Sequence, residues 1–256
     1  ITAEIMEQIA SETKTNTIIF KELDDAALQQ ANILVSSNYF QAYSIPSAEL
    51  ESQFASFEEY LNAMRHSYRR QIKNSLKKIE NQGIEISHEK ISTVGLDLFY
   101  QLYLSVMDRS NVKLEVLTKD FFHQFFTYFQ DQAKILVCKK DSQILGIFIY
   151  FIQNKTLTFL WTCRNQSKDD YDSYQNLLIE LFKIGMNKKC TTIVLGQTAY
   201  YPKQRMGAAL NERFIYVKSR NKIIHFLLES FSNDLEYFLT NQIQNQQDYF
   251  RCLCLL

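Results

Sequence analysis

The sequence predicts an α/β fold, a central mixed and mostly antiparallel sheet with helices on both faces. Three observations predict it. From Ala133 onward the apolar pattern runs strand, strand, strand, helix, strand, short helix, strand, strand. The helix expected over 172–187 joins two long strands, which makes that connection a right-handed crossover if both lie in one sheet. Only 6 Gly and 2 Pro punctuate 256 residues, so most of the chain belongs to helices and strands.

The elements follow in order. Ile18 to Phe20 reads as a short strand and Asp24 to Gln30 as a helical turn. Ala31 to Ser36 and Tyr39 to Ile45 read as two strands. Phe57 to Gly83 reads as one long helix. Ser56 and Glu59 form its capping box. Phe57, Leu61, Met64, Tyr68, Ile72, Leu76 and Ile79 draw its apolar stripe, and Gly83 stands at the C′ stop. Ile84 to Ser87 is a strand; Val94 to Arg109 and Lys119 to Gln132 are helices.

An antiparallel meander comes next: Ala133 to Lys139, Ile144 to Gln153 and Thr156 to Cys163. Its turns fall at Asp141-Ser142 and Asn154-Lys155. Asp172 to Asn187 is an amphipathic helix burying Leu177, Leu178, Leu181, Phe182 and Ile184. Thr191 to Leu195 is a strand leading into Gly196, and Tyr201 to Ala209 a short helix. Phe214 to Lys218 and Ile223 to Leu228 are the last strands, and Asp234 to Leu256 is a helical tail.

Composition narrows the function. Hydrophobic residues make up 46% and charged residues 22%, which excludes a disordered or collagenous chain. The 28 Lys and Arg cancel the 28 Asp and Glu, so a wholly basic nucleic-acid binder is not expected, while a local basic patch stays open. Five cysteines without a C-x-x-C pair predict reduced thiols and a cytoplasmic location. No run of 18 apolar residues marks a membrane span. The four histidines, His66, His88, His123 and His225, lack metal-ligand spacing, so no metal is expected.

Two segments carry a family resemblance. One is Tyr60-Leu61-Asn62-Ala63-Met64-Arg65-His66-Ser67-Tyr68-Arg69-Arg70-Gln71-Ile72-Lys73. The other is Gly196-Gln197-Thr198-Ala199-Tyr200-Tyr201-Pro202-Lys203-Gln204-Arg205-Met206-Gly207. Both resemble acyltransferases of the GNAT superfamily, in the BioF2-like, peptidoglycan-biosynthesis/recognition group related to FemAB. The resemblance implies a GNAT fold with a splay between the strands around 156–163 and 191–195. It also implies residues 1–83 as an N-terminal segment, a remnant of a first lobe, and 84–256 as the transferase core. The implied activity moves an acyl group from acyl-CoA or acetyl-CoA to an amine. The alternatives are a FemAB-like transfer from aminoacyl-tRNA, or a non-catalytic module of the same fold. A small-molecule amine or a cell-wall precursor is the implied acceptor.

One departure stands out. Acyl-CoA members carry a glycine-rich loop before the main helix, whereas Arg164 to Ser173 contains no glycine and three aspartates. A donor other than CoA fits this stretch equally well.

Within the resemblance, the implied donor-binding set is Trp161, Thr162 and Cys163 on the splayed strand, Tyr171 and Ser173 at the helix start, and Gln197, Lys203 and Arg205 beyond. Each implied role has a plainer alternative. Tyr200 protonates the leaving group or is a rim aromatic. Thr198 hydrogen-bonds a substrate or caps the short helix. Lys203 and Arg205 hold phosphates or form a solvated face. Glu115 is a general base or a surface acid, and Asp108 lies near the same acceptor loop. Arg65, Arg69 and Lys73 step by four, forming a cationic groove wall for an anionic substrate or simply a solvated stripe.

Overall fold

The computed structural model describes residues 2–109, 115–165 and 171–232. The chain forms two compact units, Glu49–Ala208 and Ile1–Ala48 with Ala209–Leu256.

In the Glu49–Ala208 unit the strand order is β7-β6-β5-β4-β3. These strands are β3 (Ile84–Glu89), β4 (Lys134–Lys140), β5 (Gln143–Gln153), β6 (Thr156–Arg164) and β7 (Thr192–Gly196). β3 to β6 are successive antiparallel neighbours, and β6 and β7 are parallel. The meander turns where expected. Asp141, Ser142, Asn154 and Lys155 all have positive φ, the backbone of tight two-residue hairpins.

Helix α8 (Ser173–Asn187) makes the crossover and covers one sheet face with Leu177, Leu178, Leu181 and Phe182, all fully buried. Gly146 on β5 admits its first turn, since a Cβ there would stand 3.1 Å from Leu177 Cδ1 and 3.2 Å from Ser173 Oγ. Helices α6 (Leu96–Arg109) and α7 (Lys119–Tyr128) cover the other face with Phe99, Tyr103, Phe122, Phe125 and Phe126. Thr118 caps α7 by accepting from Phe121 N at 3.1 Å. The short helix α5 (Ile91–Val94) precedes α6.

The single helix expected over 57–83 is two helices, α3 (Phe57–Ala63) and α4 (His66–Asn81), with extended Met64 and Arg65 between them. The capping box is present: Ser56 Oγ accepts from Glu59 N at 3.1 Å, and Glu59 Oε2 accepts from Ala55 N at 2.7 Å. No Gly or Pro makes the break; tertiary anchoring accompanies it. The Tyr60 hydroxyl donates to Met206 O at 2.6 Å, and its ring packs 5.7 Å from Phe182 on α8. The Asn62 carbonyl near the end of α3 takes a bond from Arg69 Nη1 at 3.1 Å.

The other unit has strand order β1-β8-β2, with β1 (Thr17–Leu23), β8 (Ala209–Ser219) and β2 (Phe40–Glu51), whose last residues belong to the first unit. Helices α1 (Thr2–Glu12) and α2 (Asp25–Ser36) flank it over a core of Ala10, Ile18, Ala31, Leu34, Tyr39 and Tyr216.

Two expected strands are helical. Ala31 to Ser36 is the second half of α2; Ala31 and Leu34, three apart, share its buried face. Ile223 to Leu228 lies in a helix over 222–232, started by Asn221, whose Oδ1 accepts from Ile223 N and Ile224 N at 3.0 and 3.2 Å. The expected tail helix lies outside the described residues.

Candidate active site

β6 pairs with β5 from Thr156 to Arg164 but with β7 only over Thr156–Thr158. Among the described residues, the edge from Phe159 to Cys163 therefore has no strand partner on the β7 side. Two local features open this splay. β6 carries a bulge: Tyr150 faces Phe159 and Ile149 faces Trp161, leaving Leu160 as the extra residue that bends the strand. β7 ends at Gly196, whose φ of 69° turns the chain away.

The bulge also sorts the side chains expected to touch a donor. Trp161 points into the α6/α7 aromatic cluster, 4.9 Å from Phe125 and 5.4 Å from Phe122. Cys163 is fully buried in the same cluster, and burial pushes its thiol well above the usual range. Cys163 is core and Trp161 packs half-buried against it, so neither side chain is turned toward the open β6 edge. Thr162 is different: its Oγ1 is buried and has no hydrogen-bond partner.

Beyond Gly196 the chain turns through Thr198 (φ 61°) and Ala199 (φ 45°) into α9 (Tyr200–Arg205). Thr198 does not cap α9; Ala199 holds the cap position and no side-chain bond is made there. Lys203 corrects the expectation of a phosphate-binding side chain. It is 1% exposed. Its Nζ donates to Gly196 O at 3.0 Å and to Gln197 O and Thr198 O at 2.9 Å. All three ammonium protons are engaged, and burial lowers its pKa to about 7.

Tyr200 opens α9. Burial pushes its phenol up to about 12, while a hydrogen bond from the Thr198 backbone works the other way. It therefore stays protonated near neutrality and presents a donor. Gly207, with φ 88°, ends the helix short of the expected Ala209, which already belongs to β8.

α9, α4 and the start of α8 enclose a groove of about 340 Å³, lined by Tyr68, Gln71, Ser75, Asp172, Gln175, Tyr201 and Arg205 among others. Arg205 lies between two rings, 5.3 Å from Tyr68 and 5.1 Å from Tyr201. Its Nη1 donates to the Tyr201 hydroxyl at 2.6 Å, and its Nη2 donates to Gln71 Oε1. Tyr201 is 63% exposed.

At the α8 N-terminus Ser173 is buried beneath the helix, against Gly146. It is packing, not an open donor. Asp172 adopts φ 50°, makes no cap bond, and pairs with Lys78 Nζ at 2.7 Å. Tyr171 supports this end: Lys140 Nζ sits 4.6 Å over its ring, and its carbonyl accepts from Asn176 Nδ2 at 2.8 Å.

The expected substrate set is not gathered here. Arg69 is tied to Asn62 O and Lys73 is exposed; the face of α4 that lines the groove is Tyr68, Gln71, Ile72 and Ser75. Asp108 is exposed in the last turn of α6. Glu115 is exposed before α7, near Tyr103, whose phenol is raised first by burial and further by this carboxylate. Both acids go with the helices on the Trp161 face. Of the groove, Arg205 belongs to the expected set; Tyr68, Gln71 and Ser75 do not, although with Lys78 they recur at helical spacing as a polar stripe beside the cationic one. Among the described residues no three His, Cys, Asp or Glu side chains cluster for a metal, and no helix is long and apolar enough to cross a membrane.

The FemAB-like family, described as peptidoglycan biosynthesis/recognition, matches residues 1–169. Among solved structures, FemX superposes with a TM-score of 0.60 at 13% identity, covering 89% of this chain and 78% of that one. The C-terminal domain of a putative lysylphosphatidylglycerol synthetase from Agrobacterium fabrum gives 0.58 at 12% identity, over 90% and 76%. The L-PGS of Bacillus licheniformis gives 0.57 at 13%, over 89% and 76%. At such identities the likeness is one of fold. No curated protein matches the chain.

Proposed function

We propose that this chain, which belongs to the FemAB-like family of peptidoglycan biosynthesis/recognition, transfers an aminoacyl group from an ester of tRNA to the amine of a cell-wall precursor. The observation that carries the choice of donor is the start of α8. A CoA pyrophosphate needs free backbone N–H groups at that helix N-terminus. Here an Asp172 carboxylate, held by Lys78, stands beside it, and Ser173 is packed against Gly146. An RNA ester makes no such demand.

The rest of the site suits that donor. The β6 edge over Phe159–Cys163, which β7 does not pair, offers main-chain donors and acceptors to the aminoacyl group and terminal ribose. The exposed Tyr201 ring offers a stacking platform for a terminal base, worth about 1–3 kcal/mol per base in single-strand complexes. Arg205, set by Tyr68, Tyr201 and Gln71, faces the neighbouring phosphate.

The acceptor amine attacks the ester carbonyl, forming the C–N bond. The C–O bond to the ribose then breaks. The Tyr200 hydroxyl gives its proton to the leaving oxygen and is restored by the proton the amine loses.

The test uses labelled aminoacyl-tRNA and labelled acetyl-CoA in parallel, each with a soluble cell-wall precursor bearing a free amine. Label should pass from the RNA only. Transfer from acetyl-CoA would reverse the choice of donor, and transfer from neither would favour a binding module.

A further inference from the structure

The segment from Gly196 to Tyr200 holds two consecutive residues with a Cβ in the left-handed region, Thr198 at 61° and Ala199 at 45°. Threonine, being β-branched, is especially disfavoured there. Such a turn persists only where its surroundings over-determine it. One side chain reaches every carbonyl that leads into this turn. Lys203, buried in α9, gives its three protons to the three successive carbonyls of Gly196, Gln197 and Thr198. Its own carbonyl is fixed in turn, accepting from Met206 N at 3.0 Å and Ala208 N at 3.2 Å.

We propose that Lys203 is a positioning residue: it clamps the left-handed turn and so sets the Tyr200 hydroxyl against the Thr198 backbone at the mouth of the splay. Lys203 touches no substrate in this role. While it carries its charge, Lys203 has all three N–H bonds engaged and is 1% exposed, so none is left for a phosphate. The catalytic meaning of the clamp rests on the aminoacyl-transfer reading; the clamp itself does not.

Amide hydrogen exchange by NMR on the full chain tests it, comparing the parent with Lys203→Met. Removing the clamp should expose the Thr198 amide and its neighbours over 197–200, raising their exchange by about tenfold or more, while core amides such as Ile147 keep theirs. Adding Ala199→Gly should restore protection, because glycine enters the left-handed region without help. Unchanged exchange at Thr198 in Lys203→Met overturns the proposal. Loosening spread over the whole sheet, without rescue by Ala199→Gly, overturns it too and makes Lys203 a general core residue. If Lys203→Met does not fold, Lys203→Gln, which keeps amide donors, carries the same measurement.

The kinetic arm uses charged tRNA. Lys203→Met should lower kcat by about tenfold or more, the scale of a misplaced general acid, with KM for the RNA little changed. A rise in KM alone would make Lys203 a binding residue and sink the proposal. If the exchange arm holds and the parent transfers nothing from charged tRNA, the clamp stands and the aminoacyl-transfer reading falls.

Discussion

Lys203 also predicts an unusual dependence of stability on pH. Its unfolded side chain titrates at the ordinary 10.5, and burial lowers the folded value to about 7. Below pH 7 both states carry the proton, and the cost of burying the charge is paid in full. Between pH 7 and 10.5 the unfolded chain keeps the proton and the folded chain has lost it, so stability rises with pH. Each unit is worth about 1.4 kcal/mol. The window of about 3.5 units therefore corresponds to an upper bound of about 5 kcal/mol. The three carbonyl acceptors favour the ammonium and shorten the window from its lower end. Urea unfolding of the parent and of Lys203→Met, at steps from pH 6 to 10, isolates this residue. The parent should gain on the variant by about 1 kcal/mol or more per unit within the window. Parallel curves would refute the argument, because they would mean that the carbonyl cage holds the ammonium charged throughout.

Other perturbations follow from single contacts. Tyr60→Phe leaves Met206 O without its buried donor and should destabilise by about 1–3 kcal/mol in chemical denaturation. Gly146→Val forces side-chain atoms against Ser173 and Leu177 and should cost about 1–3 kcal/mol, read as a lower Tm. Tyr200→Phe should lower turnover with charged tRNA while leaving Tm within a degree or two; unchanged turnover would remove its hydroxyl from the mechanism. Tyr201→Ala with Arg205→Gln should weaken binding of a short RNA ending in CCA and flatten its salt dependence, measured by fluorescence anisotropy.

Where local chemistry decides the structure, the sequence was legible. The meander reads off its alternating strands because both turns are short pairs, Asp141-Ser142 and Asn154-Lys155, that accept positive φ. The crossover helix and the strand into Gly196 are equally local. The family resemblance follows from the segments around Tyr60 and Gly196, and the match over residues 1–169 agrees with it. Short apolar runs were not legible. Ala31 to Ser36 and Ile223 to Leu228 carry no clear period, and α2 and the 222–232 helix are decided instead by caps at Asp24 and Asn221 and by which residues find a core.

The site itself was half legible, for a physical reason. A sequence shows which residues are charged but not which way a six-residue helix turns them. Lys203 and Arg205 stand two apart on α9 and so diverge around its axis: one ammonium is buried under the turn it follows, and one guanidinium lies in the groove between two tyrosines. The break at Met64 and Arg65 is not local either. The α3 residue Tyr60 is tied to Met206, 146 positions away, so the stripe that looked continuous divides just where α9 must be held. The same bond connects the two surprises. Met206 N closes on Lys203 O and Met206 O accepts from Tyr60, so the lysine bonded into the left-handed turn is itself braced by the helix whose continuity is lost. A site built by such long-range bracing leaves motifs in the sequence, but it leaves their roles to the fold.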